Sequence, residues 1–339
     1  MIKPELLFLK QEDVISAGIL DMKMVLEMVE KVFYMDGIGQ VKNPVKTIVN
    51  IPNDDEWQSR FISMPVYVGG NINRPGVKWA AESTANMKTG DIPMGIDIVI
   101  LSDPTTVLPV AIMEGTLITA MRTAAAAGVA AKYLAPNQAE VVGCVGAGVI
   151  GRTMIMALMQ VLPNLKQIRM CDLNLEKAEK LAAEFKEEIE VKPTKSVEQA
   201  VTGADVIATM TTSRKPFVKA EWVKPGAMVI QMSSFEVEAG VVKKADKIVV
   251  DSWAQMKENT HSVFYELLQN GDISDDDITL LKEVVCGAKP GRESADELTM
   301  FSSRGMGCLD IIVADHLYKQ AKQKGLGQKL VLWDEAKWV

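Results

Sequence analysis

The residue whose chemistry stands out first is Arg122, which lies in the apolar stretch GTLITAMRTAAAAGVAA from Gly115 to Ala131. The spacing of this stretch is helical, and the positions one turn from the arginine carry no carboxylate: Ile118, Thr119, Ala125 and Ala126. A guanidinium in a low-dielectric site binds a carboxylate through two parallel, charge-assisted hydrogen bonds. We therefore predict an anionic partner, either the carboxylate of a ligand or a side-chain carboxylate distant in sequence.

Lys78 is the second unusual charge, because it lies between Val77 and Trp79 in an otherwise apolar, strand-like run. Its ammonium group must point toward something polar, and we expect a ligand-binding cleft rather than solvent. The cysteines and histidines show no metal-ligand spacing, so we predict free buried thiols and no metal site at Cys144, Cys171, Cys286, Cys308, His261 and His316.

The middle of the chain carries a dinucleotide-binding pattern. The sequence Gly146-Ala147-Gly148-Val149-Ile150-Gly151 fits G-x-G-x-x-G, directly after a strand-like run and at the start of a helix-like stretch. Asp172 ends the next strand at the spacing where a carboxylate binds the adenosine ribose. Because Leu173 and Asn174 bring no cation to neutralise a 2′-phosphate, we predict NAD as the cofactor, with Arg169 on the same strand as the one contrary feature.

These residues require particular elements to position them. Short apolar strands alternate with helical stretches from Val141 onward, with DKIVVDS as the last good strand, and this alternation predicts a doubly wound parallel sheet, a Rossmann domain of the α/β class. Roughly 120 residues precede it, and the C-terminal stretch CLDIIVADHLYKQAKQKG has one apolar helical face. We predict a Rossmann domain at 123–307 inserted in a second α/β domain formed by 1–122 and 308–339, with ligand bound in the cleft between them.

Composition excludes several classes of function. The chain has 339 residues and a net charge of −7, with cations scattered along it, so nucleic acid is not an expected partner. No apolar run approaches the roughly 20 residues of a membrane span, and the N-terminus lacks a signal-peptide core. The sequence therefore predicts a cytoplasmic protein without a membrane partner.

A set of motifs along nearly the whole chain resembles the ornithine cyclodeaminase/mu-crystallin family. Their order and approximate spacing are those of the family: VKNPVKTIV, ISMPVYVGG, GVKWAAES, VILSDPTT, MEGTLITAMRTAAAAGVAAKYL, VGAGVIG, ADVIATMTT, EWVKPGAMV and FSSRGMGCLD. The resemblance implies a Rossmann domain inserted in a substrate-binding and dimerisation domain, and hence a homodimer. That organisation agrees with the one predicted from the strand pattern.

The resemblance also implies roles for individual residues. Arg122 would bind the carboxylate of an amino-acid or imino-acid substrate, Lys46 would be a second carboxylate ligand in place of the family's usual arginine, and Lys78 would be the active-site lysine. The catalytic carboxylate would be Glu236, or Glu238 if the loop is shifted, where the cyclodeaminases have an aspartate. Further contacts are implied at Met64 for substrate and at Thr209, Met210 and Ser233 for cofactor.

The activity implied is hydride transfer between an amino-acid Cα and the nicotinamide, as in the cyclisation of ornithine to proline with loss of ammonia. Other branches of the family remain alternatives: a dehydrogenase of an N-substituted, opine-like amino acid, an alanine dehydrogenase and a ketimine reductase. The segments GVKWAAES, ILSDP and KPGRESADE resemble the opine-like branch more than the cyclodeaminases. A non-enzymatic binding protein like mu-crystallin is the alternative from another class, and the retained Lys78, Arg122 and loop carboxylate favour an enzyme over it.

Overall fold

The computed structural model describes residues 4–52, 57–86, 90 and 92–338. The chain divides into two compact units. The discontinuous unit comprises Met1–Arg122 and Met306–Val339, and the inserted unit comprises Thr123–Gly305. The second boundary lies two residues before the predicted one. None of the described helices is long and apolar enough to cross a membrane.

The inserted unit is built on an eight-stranded parallel sheet in the order β10-β9-β8-β11-β12-β15-β13-β14. The first five positions reproduce the 3-2-1-4-5 order of a Rossmann sheet, which confirms the predicted fold class. The strands are β8 (Val141–Val145), β9 (Gln167–Cys171), β10 (Glu190–Thr194), β11 (Val206–Thr209), β12 (Met228–Gln231), β13 (Lys247–Val250), β14 (Ile278–Leu280) and β15 (Thr299–Ser302).

Parallel neighbours need crossover connections, and helices form all of these except the one from β11 to β12. The longest is α4 (Val149–Val161), which follows β8, and its buried face includes Met154, Ile155 and Leu158. The others are α5 (Leu175–Phe185), α6 (Val197–Val201), α7 (Ala239–Lys244), α8 (Trp253–Lys257), α9 (Val263–Gln269) and α10 (Leu281–Val285), with 3₁₀ turns at Ala220–Trp222 and Asp275–Asp277.

One prediction for this sheet is wrong. DKIVVDS forms β13, but it is not the last strand: β14 and β15 follow it, and β15 lies between β12 and β13. Each has only three or four residues, and the charged segment Arg292–Glu297 precedes β15. A run this short gives no recognisable period, although all four residues of β15 are buried.

The discontinuous unit contains a second eight-stranded sheet, in which β1 pairs in parallel with β7 and the other pairs are antiparallel. Its order is β16-β1-β7-β6-β5-β4-β2, with β3 paired to β4. The strands are β1 (Glu5–Leu9), β2 (Val41–Lys42), β3 (Thr47–Pro52), β4 (Trp57–Val68), β5 (Arg74–Ser83), β6 (Gly95–Ser102), β7 (Pro109–Glu114) and β16 (Gln328–Val331).

The two faces of this sheet differ. One face is packed against the C-terminal helix α11 (Gly307–Lys324), whose predicted apolar positions are all buried: Leu309, Ile312, Val313 and Leu317. The opposite face leaves large apolar side chains exposed, among them Trp79, Ile96 and Ile98. The unit also contains α1 (Gln11–Ala17) and α2 (Met22–Gly37), and the first residues of α3 (Thr116–Leu134).

Candidate active site

The turn between β8 and α4, Gly146–Gly151, is shaped by its glycines. Gly146 has φ 110°, and a Cβ there would lie 2.5 Å from the Met210 carbonyl oxygen. A Cβ on Gly151 would collide with the carbonyl of Gly146. Both positions therefore need glycine for backbone packing.

Gly148 is different, because a Cβ built there meets nothing within 4 Å. It is the N-cap of α4, and no described side chain caps the helix. No described side chain therefore caps the backbone N–H groups of the first turn, which lie at the positive end of the helix dipole. Such a cradle fits the pyrophosphate of a dinucleotide, which binds at helix N-termini in this kind of turn.

The end of β9 completes this region with Asp172, which is half-buried. Its carboxylate accepts hydrogen bonds from the backbone N–H of Ala147 at 2.8 Å and of Asn174 at 2.9 Å, and so holds the glycine turn. Arg169, the contrary feature in the sequence, donates instead to the Gln167 side chain and to the Thr202 carbonyl. This guanidinium is thus engaged away from Asp172.

Glu236 is fully buried within the inserted unit. Its carboxylate accepts hydrogen bonds from the Thr209 hydroxyl at 2.8 Å, from the Ser233 backbone N–H at 3.0 Å and from the Thr211 backbone N–H. Burial raises the pKa of Glu236, and these hydrogen bonds oppose that shift. The residue therefore ties the segment after β11 to the segment after β12, and a catalytic role for it remains a prediction.

The neighbouring predicted residues take part in the same arrangement. Met210 donates its backbone N–H to the Val145 carbonyl at 2.9 Å, and the buried Thr209 hydroxyl also lies 3.3 Å from the Ile230 carbonyl. Glu238, the alternative catalytic carboxylate, is the N-cap residue of α7 and accepts a 3.4 Å hydrogen bond from the Ala220 N–H. The Met210 and Thr209 contacts thus lie at the carboxyl ends of β8, β11 and β12, and the Glu238 contact joins the start of α7 to the 3₁₀ turn at Ala220.

The discontinuous unit holds a cluster of four buried charges, Lys78, Asp97, Arg122 and Asp310, which we call the charge cluster. Arg122 Nε donates to Asp310 Oδ1 at 2.9 Å, and Lys78 Nζ lies 3.3 Å from the same oxygen. Lys78 Nζ is also 3.7 Å from Asp97 Oδ2. Each of the four residues is at most 6% exposed. Of the two partners predicted for Arg122, a distant side-chain carboxylate is therefore present.

Sheet register and helix packing bring these residues together. Lys78 on β5 is directly opposite Met64 on β4 and Val99 on β6, so the three side chains share the face covered by α11. Asp97 lies two residues before Val99 and therefore points to the same face. A Cβ on Gly307 would lie only 2.7 Å from Val66 Cγ2, so this glycine lets the start of α11, with Asp310, approach the sheet closely.

Burial and mutual interaction shift the pKa values of two residues in the charge cluster. Burial lowers the pKa of Lys78, and the Arg122 cation lowers it further, against the opposing pull of Asp310 and Asp97. Burial raises the pKa of Asp97, while Lys78 and a hydrogen bond from the Thr119 hydroxyl act in the opposite direction. At neutral pH, the charged and neutral forms of Lys78 are thus closer in free energy than they are in water, and the same holds for Asp97.

The guanidinium of Arg122 can form further hydrogen bonds. Within the described part of the chain its hydrogen bond runs from Nε to Asp310, and its two terminal nitrogens donate to no side chain or carbonyl. A guanidinium held at Nε presents its outer nitrogens as a fork that fits a carboxylate. The ion pair with Asp310 and a ligand carboxylate are therefore compatible.

Two other predicted substrate contacts lie in the same unit. Met64 is 5% exposed and packs with Ile62 and Ala80 on the covered face, in register with Lys78. Lys46 is half-buried in the segment just before β3. Their contacts with substrate remain predictions.

Sequence reasoning missed Asp97 and Asp310. A signal was available for both: each is an acidic residue flanked by large apolar residues, in GIDIV and in CLDII. Buried acidic side chains are rare unless paired, so these two could have been matched with Lys78 and Arg122.

The chain is similar to proteins of one known family. A profile of the ornithine cyclodeaminase/mu-crystallin family matches residues 5–325. N-((2S)-2-amino-2-carboxyethyl)-L-glutamate dehydrogenase of Staphylococcus aureus is 28% identical over 334 residues, covering 97% of this chain and 99% of that protein.

Two solved structures are also similar. Delta(1)-pyrroline-2-carboxylate reductase of Thermococcus litoralis, in complex with NADH and L-proline, has a TM-score of 0.87 and 34% identity, covering 95% of this chain and 99% of that one. An archaeal alanine dehydrogenase dimer with bound NAD has a TM-score of 0.88 and 31% identity, covering 97% and 100%.

Proposed function

This chain belongs to the ornithine cyclodeaminase/mu-crystallin family, and on that premise we propose that it is an NAD-dependent oxidoreductase acting at the Cα of a small amino acid or imino acid. The observation that carries the proposal is Arg122: its Nε is held by Asp310, its terminal nitrogens are available to a carboxylate, and Lys78 lies in the same buried cluster. The inserted unit of the same chain has the glycine turn for a dinucleotide.

The cofactor would be held by the glycine turn and by Asp172. Backbone N–H groups at Gly148 and the first turn of α4 would bind the pyrophosphate, and Asp172 would bind the adenosine ribose. NAD supplies hydride transfer, which side chains cannot perform. The sequence-based choice of NAD agrees with the solved relatives that hold NADH or NAD.

The substrate carboxylate would be bound by the outer nitrogens of Arg122, with Lys46 as a second cation. A guanidinium fixed at Nε loses little conformational freedom when it binds, so the substrate is oriented as well as neutralised. Met64, in register with Lys78, would contribute apolar contact to the substrate.

Lys78 would move the proton at the substrate nitrogen. Its lowered pKa brings loss of the proton closer to neutral pH, and a general base works best when its pKa is near the working pH. The contacts with Asp310 and Asp97 hold the ammonium within the cluster when it is charged.

Within the family we propose a dehydrogenase or imine reductase rather than a cyclodeaminase. The resemblance assigns the amine-binding carboxylate of cyclodeaminases to Glu236, whose oxygens here already accept from Thr209, Thr211 and Ser233. The relatives described above are dehydrogenases and a reductase of amino and imino acids. An N-substituted amino acid, as in the S. aureus relative, is the second candidate substrate.

We also propose that the protein is a homodimer through the exposed face of the discontinuous unit's sheet, around Trp79, Ile96 and Ile98. Exposed apolar patches of this kind usually bind another protein surface, and two-fold dimers are the commonest assembly. The archaeal alanine dehydrogenase is itself a dimer. Light scattering should report a mass twice the 37.1 kDa of one chain. The variant Ile98→Arg should lower the measured mass to that of one chain.

A steady-state assay that follows NADH absorbance tests the proposed activity. The panel should contain L-alanine, L-proline, L-ornithine and an N-carboxyalkyl amino acid for oxidation, and Δ1-pyrroline-2-carboxylate and pyruvate with ammonia for reduction. We expect turnover of at least one amino or imino acid, with NADH preferred over NADPH. A protein that binds NADH and turns over none of them would overturn the proposal in favour of a binding protein.

A further inference from the structure

The two carboxylate oxygens of Asp310 differ in their hydrogen bonding. Oδ1 accepts from Arg122 Nε at 2.9 Å and lies 3.3 Å from Lys78 Nζ. Oδ2 has no hydrogen-bond partner among the described residues, although it is buried and the residue as a whole is 0% exposed. An unsatisfied oxygen on a buried carboxylate is costly, and in native proteins nearly all such atoms have a partner, which can be water, an ion or a ligand.

Asp310 and the Thr119 hydroxyl do not satisfy each other. Thr119 Oγ1 lies 3.3 Å from Asp310 Oδ1, but it is closer to Asp97 Oδ2. A hydroxyl has a single proton to donate, and the shorter contact with Asp97 takes it. Asp310 thus depends on the two cations at Oδ1, and none of the residues that the structure describes donates to Oδ2.

We propose that Asp310 Oδ2 binds the nitrogen of the substrate, and that Oδ1 at the same time positions Arg122 and Lys78. This inference rests on the proposed function. The carboxylate and the nitrogen of an α-amino acid are bonded to the same carbon. A ligand carboxylate on the outer nitrogens of Arg122 therefore brings its nitrogen close to the carboxylate that holds Arg122 Nε.

The acceptor chemistry of Asp310 Oδ2 specifies the ligand class further. A buried carboxylate oxygen is best satisfied by a donor that carries positive charge, such as an ammonium or iminium N–H. The site should therefore prefer amino acids and protonated imines over 2-hydroxy and 2-oxo acids, which have no cationic nitrogen.

The test compares ligands that differ only in nitrogen. Dissociation constants are measured calorimetrically with saturating NADH for L-proline and cyclopentanecarboxylate, L-alanine and propionate, and L-glutamate and glutarate. The variants are Asp310→Asn and, as a matched control, Asp315→Asn. Asp315 lies on the same helix, is 1% exposed and is paired with Arg74 and Lys319, so its substitution also removes a buried, ion-paired carboxylate.

We expect the wild type to bind the nitrogen-bearing member of its best pair about 10- to 150-fold more tightly, the range for a hydrogen bond to a charged group. Asp310→Asn should reduce this ratio to near one and leave the NADH dissociation constant within about twofold. Asp315→Asn should lower the melting temperature and keep the wild-type ratio.

Other outcomes overturn the inference. If Asp310→Asn weakens the binding of both ligands of a pair equally, Asp310 only positions Arg122. If Asp310→Asn does not fold, Asp310→Glu, which keeps the charge but displaces the oxygens, is compared in the same way, and an unchanged ratio contradicts nitrogen binding. If no pair member binds the wild type and the activity panel is silent, the proposed function fails, and this inference fails with it.

Discussion

The glycine turn and the charge cluster are the two proposed binding regions, and they are built in opposite ways. The glycine turn offers backbone N–H groups, and its shape depends on the absence of side chains at Gly146, Gly148 and Gly151. The charge cluster offers buried charged side chains from β5, β6, α3 and α11. The first region should therefore be sensitive to added atoms, and the second to removed charges.

The largest effect is expected from Arg122→Leu in the charge cluster. Affinity for the best substrate of the panel should fall roughly thirtyfold to several thousandfold, about 2–5 kcal/mol, because a buried charge-assisted contact is lost. The free energy of unfolding should also fall, by about 3–5 kcal/mol, since Asp310 loses its Nε partner. NADH affinity should stay unchanged.

Titrations of substrate and NADH, with a denaturation curve, separate the two roles of this arginine. Arg122→Lys should recover part of the substrate affinity, because an ammonium keeps the charge and loses the fork. A destabilised Arg122→Leu protein that binds substrate normally would show that Arg122 serves only the ion pair.

Gly148→Ser tests the glycine turn by adding two heavy atoms. Serine is a good N-cap, and its hydroxyl would accept from the α4 N–H groups that we assign to the pyrophosphate. NADH affinity should fall at least about tenfold, while stability stays the same or rises by up to about 1 kcal/mol. Fluorescence titration and a melting curve measure both, and unchanged NADH affinity would remove Gly148 from the cofactor site.

Asp172→Ser should change cofactor preference rather than overall function. Removing the carboxylate relieves repulsion of a 2′-phosphate, so the preference for NADH over NADPH should narrow several-fold. Asp172→Asn is the control, because it keeps an acceptor for the Ala147 N–H. Parallel titrations with both dinucleotides provide the measurement, and tighter NADPH binding by the wild type would contradict the NAD assignment.

Asp97→Asn should give the smallest effect, a shift in pH dependence. The Asp97 charge raises the pKa of Lys78, so removing it lets that pKa fall further. If deprotonated Lys78 is the base, as proposed, the rise of kcat/KM with pH for amino-acid oxidation should therefore move to lower pH. A profile that stays in place would show that Asp97 is neutral over the measured range, and a shift to higher pH would exclude the assigned base.

The same contrast explains how much of the molecule the sequence could predict. The glycine turn is contiguous and has strict local requirements, so G-x-G-x-x-G, the following helix and the Rossmann fold were predicted correctly. The family was also identified correctly, and Arg122 was singled out because a charge in an apolar helix is visible without a structure.

Predictions from sequence failed where long-range packing decides. Asp310 is 188 positions from Arg122, and no local pattern relates the two. Strand β15 is four residues long, and its place between β12 and β13 depends on the sheet as a whole. The catalytic role of Glu236 stays a prediction, but no local pattern indicated the three hydrogen-bond donors through which this residue also supports two loops.

The split of the discontinuous unit between the two ends of the chain has a consequence for biosynthesis. Lys78, Asp97 and Arg122 are translated early, but Asp310 and α11 leave the ribosome only after the whole inserted unit. At about 5–20 residues per second, this delay is roughly 10–40 s. We expect the inserted unit to fold first. Until α11 has been translated, one apolar face of the N-terminal sheet stays uncovered, and we expect chaperones to bind it during this interval.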